Sequence, residues 1–115
     1  MKQLEDGVLN KNLRMQFTKA SDTTGVLDAD KAPGIVPSDR AMEEAMAIAE
    51  KHGSDFVAVR DSNHFGYAGY RAKKAMDGGF VGISMSNGGP RMTVTYGTEP
   101  IFGTNPFQHR HPRRT

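Results

Sequence analysis

The chain has no cysteine. That excludes a disulfide framework and any thiol chemistry, whether nucleophilic, redox or metal-binding. It also lacks an apolar run approaching the roughly 18 residues that a membrane span requires. The opening MKQLEDGVLN has no apolar core of the kind that secretory leaders carry. Neither a G-x-G-x-x-G fingerprint nor a phosphate-binding P-loop occurs, and no H-E-x-x-H or comparable metal-ligand spacing is present. These absences set the expectations: a cytoplasmic protein, no membrane contact, no metal site, and no classical Rossmann domain.

Charge is the next thing to be weighed. The pI near 9.0 invites a nucleic-acid partner. Yet Arg110, Arg113 and Arg114 lie within the final QHRHPRRT, which has no acid. Removing those three charges from the net +2 leaves −1 for residues 1–107. The body therefore has no basic stripe, and no nucleic-acid partner is expected.

What is present suits one modest globular domain: 115 residues, 37% hydrophobic and 24% charged. Residues 1–20 are polar with scattered apolar positions and read as irregular, opening on the end of a helix. Thr24–Leu27 is a β-like run ending at Asp28, and the following DKAPG is turn chemistry. A helix is expected from a cap at Ser38 or Asp39, after Pro37, to Gly53. Met42, Ala45, Met46 and Ala49 form its apolar stripe, and Lys51 and His52 lie in its last turn. Phe56–Val59 reads as a strand covered on both faces. A second helix is expected from about Phe65 to Met76, with Ala68, Ala72, Ala75 and Met76 buried, and a further buried strand at Phe80–Met85. The order β-α-β-α-β predicts an α/β layer with mainly parallel strands and right-handed crossovers.

In such sheets ligands bind beyond the carboxyl ends of the strands. Two loops fall there, Asp61–Gly66 and Ser86–Pro90, both of small polar residues and glycine. His64 stands out at a strand end and a helix start, where the positive helix end favours neutral imidazole. An alcohol dehydrogenase needs a group of that kind to take the hydroxyl proton as hydride leaves. From position alone, a plain loop or capping role is the commoner one for a lone histidine. His52 is a last-turn helix residue, His109 and His111 sit in an unstructured-looking tail, and the seven methionines suit core packing.

GSDFVAVRDSNHFGYAGYRAKKAMDGGFVGISMSN, with YGTEPIFGTNPF after it, closely resembles the malate/L-lactate dehydrogenase-like family. Ureidoglycolate, sulfolactate, diketogulonate and piperideine-carboxylate enzymes are among its members. LDADKAPGIVPSDRAMEEAMAIAEKHG is similar to the family's preceding stretch, and the match covers roughly residues 5–107. The resemblance implies an NAD- or NADP-dependent oxidoreductase acting on small 2-hydroxy or 2-oxo acids (or cyclic imino acids). It also implies the family's own α/β fold and a homodimer. By the same resemblance His64 is the catalytic acid/base, Thr104 and Asn105 contact substrate, and Ser86, Asn87 and Gly88 face the cofactor.

Three features depart from the family. The family's N-terminal segment with its substrate-contacting Ser-His-Gly motif and arginine is absent here, the cofactor-binding remainder after GTNPF is absent too, and Ile35 stands where glutamine is common. The expectation is thus a partial dehydrogenase domain over residues 1–107, incomplete by itself. Residues 108–115 are expected to be an aberrant basic tail. Shifting the reading frame of codons for QHRHPRRT by one base permits Ser-Ile-Ala-Ile-Pro-Ala-Ala, the family's kind of continuation. An Arg/His segment that binds anions is the alternative for this tail. Two other readings of the whole chain stand beside the dehydrogenase: a non-catalytic remnant or small-ligand-binding α/β module, and a metal-dependent hydrolase using Asp61 and His64.

Overall fold

The computed structural model describes residues 14–113. The chain divides into two compact units, Met1–Gly66 and Tyr67–Thr115.

In the first unit, β1 (Gln16–Ser21) and β2 (Thr24–Asp28) form an antiparallel hairpin. Its two-residue connection is braced by a 2.6 Å hydrogen bond between the hydroxyls of Ser21 and Thr24. β3 (Phe56–Arg60) adds to the other edge of β2 in parallel, with Val26 beside Ala58 and Leu27 beside Val59. Leu27, Ala29 and Ala32 are fully buried. Residues 16–20 were expected to be irregular. They pair as a strand because β2 offers them a ladder, although their own pattern carries little apolar alternation. The helix end expected at the chain's start lies outside the described residues.

Between β2 and β3 runs α1 (Ile35–His52), which packs against β3. It begins three or four residues before the expected Ser38 or Asp39 cap, with Gly34 as its N-cap. Pro37 is therefore the third helical residue. A first-turn residue has no intrahelical use for its N–H, so proline there is tolerated rather than a barrier. The other end is as expected: Gly53 takes a left-handed φ of 88° and its N–H reaches Ala49 O at 2.7 Å. Pro37 and Ala41 are buried, whereas the predicted stripe Met42, Ala45, Met46 and Ala49 is half-buried.

In the second unit, α2 (Ala68–Asp77) packs on β4 (Gly82–Met85) and on β7 (Phe107–Arg110). Those strands pair antiparallel, Met85 opposite Phe107 and Gly82 opposite Arg110. Ala68, Ala72 and Ala75 are buried, as the alanine spacing predicts, and Met76 is half-buried. Gly82 lets strand and helix approach closely, because a Cβ there meets Ala72 O and, at 2.7 Å, the Ala75 methyl. A short antiparallel hairpin, β5 (Met92–Thr93) with β6 (Pro100–Phe102), completes this unit.

The α/β class holds, but the single, mainly parallel β-α-β-α-β layer does not appear among the described residues. Among the described residues parallel pairing is confined to β2 and β3, and β4 belongs to a different sheet from β3. The partner of β4 is a segment whose polar sequence gave no strand signal. β7 also runs across the boundary expected between residues 107 and 108.

Two strands read as buried on both faces are not. Phe56 in β3 is 58% exposed, and in the second unit Ile83, Met85 and Phe107 are 50%, 53% and 57% exposed. Ile83, Met85, Phe107 and His109 share the face of the β4–β7 ribbon turned away from α2, and the rings of Phe107 and His109 lie 6.4 Å apart. An apolar face of that kind associates in water. Size-exclusion chromatography with light scattering on the 115-residue chain is expected to show species of at least twice 12.6 kDa. A monodisperse monomer contradicts this.

Candidate functional site

The first candidate loop, Asp61–Gly66, is built on the strand end of β3. Arg60 and Asp28, side by side on neighbouring strands, pair at 2.8 Å. The Asp30 N–H also reaches Asp28 at 3.0 Å. That N–H is the main cause holding the Asp28 carboxyl below its ordinary range; desolvation opposes it, and the Arg60 guanidinium adds to the lowering. Beyond this pair the chain turns tightly, with positive φ at Asp30 (49°), Lys31 (58°) and Asp61 (51°). Three backbone bonds tie the two turns together: Ala29 N to Arg60 O (3.0 Å), Lys31 N to Asp61 O (2.8 Å) and Asn63 N to Ala32 O (3.2 Å). The Asn63 side-chain amide adds a bond to Lys31 O at 3.1 Å.

Gly34 lies directly against this loop. A Cβ on it meets Asn63 O, and meets the carbonyl carbon and oxygen of His64 at 2.7 Å. The loop therefore sits on a base of backbone rather than on movable side chains. His64 itself is exposed. Its Nδ1 accepts a hydrogen bond from the Gly66 N–H at 3.0 Å, while Nε2 has no partner among the described residues.

One expectation about His64 is corrected. The following helix was read as starting at Phe65, which places the histidine at a positive helix end. Gly66 instead takes a φ of 78° and Tyr67 is extended as the N-cap, so α2 starts at Ala68. The helix-end argument for His64 therefore does not apply.

The second candidate region lies in the other unit and brings together the remaining expected residues. Ser86 N–H donates to Pro106 O at 3.1 Å, and Gly88 N–H donates to Asn105 Oδ1 at 2.8 Å. A Cβ on Gly103 meets Gly88 O, and one on Gly88 comes within 3.1 Å of Thr104 N. Two glycines thus allow the Ser86–Gly88 and Gly103–Pro106 segments to touch backbone to backbone. Asn105 has a positive φ of 39°, which asparagine tolerates better than most residues. Its Oδ1 is engaged in the brace, which leaves Nδ2 for other work. Thr104 and Asn87 are exposed, and a Cβ on Gly89 meets only open space.

Sequence reasoning did not identify Gly34, Asn63 or Gly103 as shaping these loops. Turn composition marked the two in the first unit, and the close backbone approach explains all three.

The family model for malate/L-lactate dehydrogenase matches residues 1–115. The chain belongs to that family. It is 39% identical over 118 residues to a malate dehydrogenase of Pyrococcus abyssi, covering 99% of this chain and 33% of that one. It is 40% identical over 104 residues to an L-sulfolactate dehydrogenase of Methanocaldococcus jannaschii, covering 90% and 30%. The malate dehydrogenase structure from Pyrococcus horikoshii superposes with a TM-score of 0.87 at 34% identity, covering 97% of this chain and 32% of that one. The chain thus spans about a third of the length of these family members. No helix among the described residues is long and apolar enough to cross a membrane.

Proposed function

We propose that this family member contributes part of the machinery of an NAD- or NADP-dependent oxidoreductase that interconverts small 2-hydroxy and 2-oxo acids. The observation that carries the reading is His64: an exposed imidazole held through Nδ1 on a hydrogen-bonded loop, with Nε2 unengaged among the described residues. In that role it takes the hydroxyl proton during oxidation and returns one to the oxo oxygen during reduction. Thr104 Oγ1 and Asn105 Nδ2 supply hydrogen bonds to a substrate carboxylate.

The Ser86–Gly88 loop fits the neutral, polar parts of a nicotinamide dinucleotide better than its phosphates. The Ser86 and Gly88 N–H groups are already bonded within the protein, whereas the Asn87 side chain is exposed and Gly89 leaves room for close approach. The cofactor supplies the hydride acceptor and donor when bound. The malate and sulfolactate dehydrogenases among the relatives support a substrate with a carboxylate beside the reacting carbon.

The test is a chimera in which this chain replaces the matching third of Pyrococcus horikoshii malate dehydrogenase. Nicotinamide absorbance is followed with malate, lactate and sulfolactate and with NAD and NADP in turn. Turnover of at least one pair is expected. A folded chimera that is inert towards all of them favours the non-catalytic module instead.

A further inference from the structure

Gly66 stands at the position where the chain leaves the His64 loop, and its backbone is unusual in a way that acts on the imidazole. Its φ of 78° is left-handed, which costs a residue with a Cβ but not glycine. A Cβ placed there meets only Ile35, at an ordinary 3.7 Å, so space is not what requires glycine. The His64–Phe65 backbone places the Gly66 N–H on His64 Nδ1 at 3.0 Å, and the left-handed φ lets the chain turn off to Tyr67 while that N–H stays in place.

A backbone N–H can only donate, so Nδ1 must present its lone pair. In a neutral imidazole the single proton then resides on the other nitrogen. We infer that Gly66 is a positioning residue: its N–H, kept on Nδ1 because the left-handed φ carries the following chain away without disturbing that amide, fixes neutral His64 as the tautomer that carries its proton on Nε2.

Two consequences follow for the proton-handling role proposed above, on which the meaning of this inference rests. Neutral His64 offers a donor to a ligand oxygen, which suits a 2-oxo acid, whose carbonyl can only accept. The imidazolium form needs a proton on Nδ1 as well, so adding that proton breaks the Gly66 bond. When imidazolium gives its Nε2 proton to the oxo oxygen, the proton left behind is on Nδ1. In the reverse direction Nε2 of that same Nδ1–H form takes the hydroxyl proton. Transfer in either direction therefore runs with the Gly66 bond released, and the bond re-forms as the ring returns to the Nε2–H tautomer.

The ring itself can be read without substrate, cofactor or turnover. The 115-residue chain carrying His52→Gln, His109→Gln and His111→Gln keeps a single imidazole. Magic-angle-spinning NMR on ring-labelled protein reports the proton on each nitrogen regardless of self-association. At alkaline pH, Nε2 is expected to be the protonated nitrogen, with a ratio of tautomers about fivefold above that of free N-acetylhistidine amide. That factor corresponds to one ordinary hydrogen bond. A through-space correlation from the Gly66 amide proton to Nδ1 is also expected. On acidification the Gly66 amide resonance should move together with the ring.

Gly66→Ala, strained at this φ, should lower the tautomer ratio towards the free value. Gly66→Asn, which tolerates the left-handed region, should restore it. A proton found mainly on Nδ1, or a free-histidine ratio with no Gly66 correlation, overturns the inference. The unsubstituted Gly66 measurement decides by itself if the alanine variant does not fold. An inert chimera with the expected ring signature would refute the dehydrogenase reading alone. An active chimera whose ring lacks that signature would refute the role of Gly66 alone.

Discussion

His64→Ala in the malate dehydrogenase chimera is expected to lower kcat by about 10²–10⁴-fold, the range for losing a general acid/base. The substitution removes the imidazole but leaves the backbone base of the loop, because the bonds from Asn63 to Lys31 and Ala32 do not involve it. The expected pattern is therefore a fall in kcat with the cofactor KM nearly unchanged. A loss confined to KM would mean that His64 only helps to hold a ligand. An unchanged kcat would remove it from the chemistry. Steady-state kinetics of the paired proteins separates these results.

A larger structural effect is expected at Gly34, whose substitution by alanine forces a methyl into the main chain of Asn63 and His64. Overpacking against atoms that can move costs about 1–3 kcal/mol, and backbone cannot yield as a flexible side chain does. The upper part of that range corresponds to a fall in Tm of roughly 10 °C or more in a domain of this size. Gly89→Ala is the matched control, since its methyl enters open space. Thermal unfolding of both variants followed by circular dichroism is the check. Equal midpoints would mean that the loop does not rest on Gly34 as described.

The elements that could be read along the chain are those written in local chemistry. β2 and β3 announce themselves as short β-branched and aromatic runs, Gly53 ends α1 in the conformation that glycine allows, and the alanines of α2 mark its buried stripe. β1 and β7 were not legible, because QFTKAS and FQHR owe their strand form to the neighbours they pair with. The hand of pairing was equally hidden. Nothing within Gly82–Met85 distinguishes an antiparallel partner at Phe107–Arg110 from a parallel neighbour across a helix. Pro37 misled by looking like a helix boundary when its place was inside the first turn.

The candidate site divides in the same way. His64 and the Gly103–Pro106 turn were visible because SNHFG and GTNP occur together in the family pattern. The brace from Gly88 to Asn105 and the bond from Gly66 to His64 depend on backbone angles that residue types alone do not give. Asn105 illustrates the difference. Family resemblance marks it as a substrate contact, whereas its Oδ1 is bonded to the protein's own main chain.

The central claim is hydride exchange between the C2 carbon of a 2-hydroxy acid and a nicotinamide, with the hydroxyl proton handled separately by His64. Malate deuterated at C2 tests it directly when incubated with the chimera and oxidised cofactor, with the reduced cofactor then examined by mass spectrometry. One deuterium carried into each reduced nicotinamide is predicted, with transfer all but abolished by His64→Ala. Deuterium appearing in water instead, or equal transfer in the His64→Ala protein, would contradict the account.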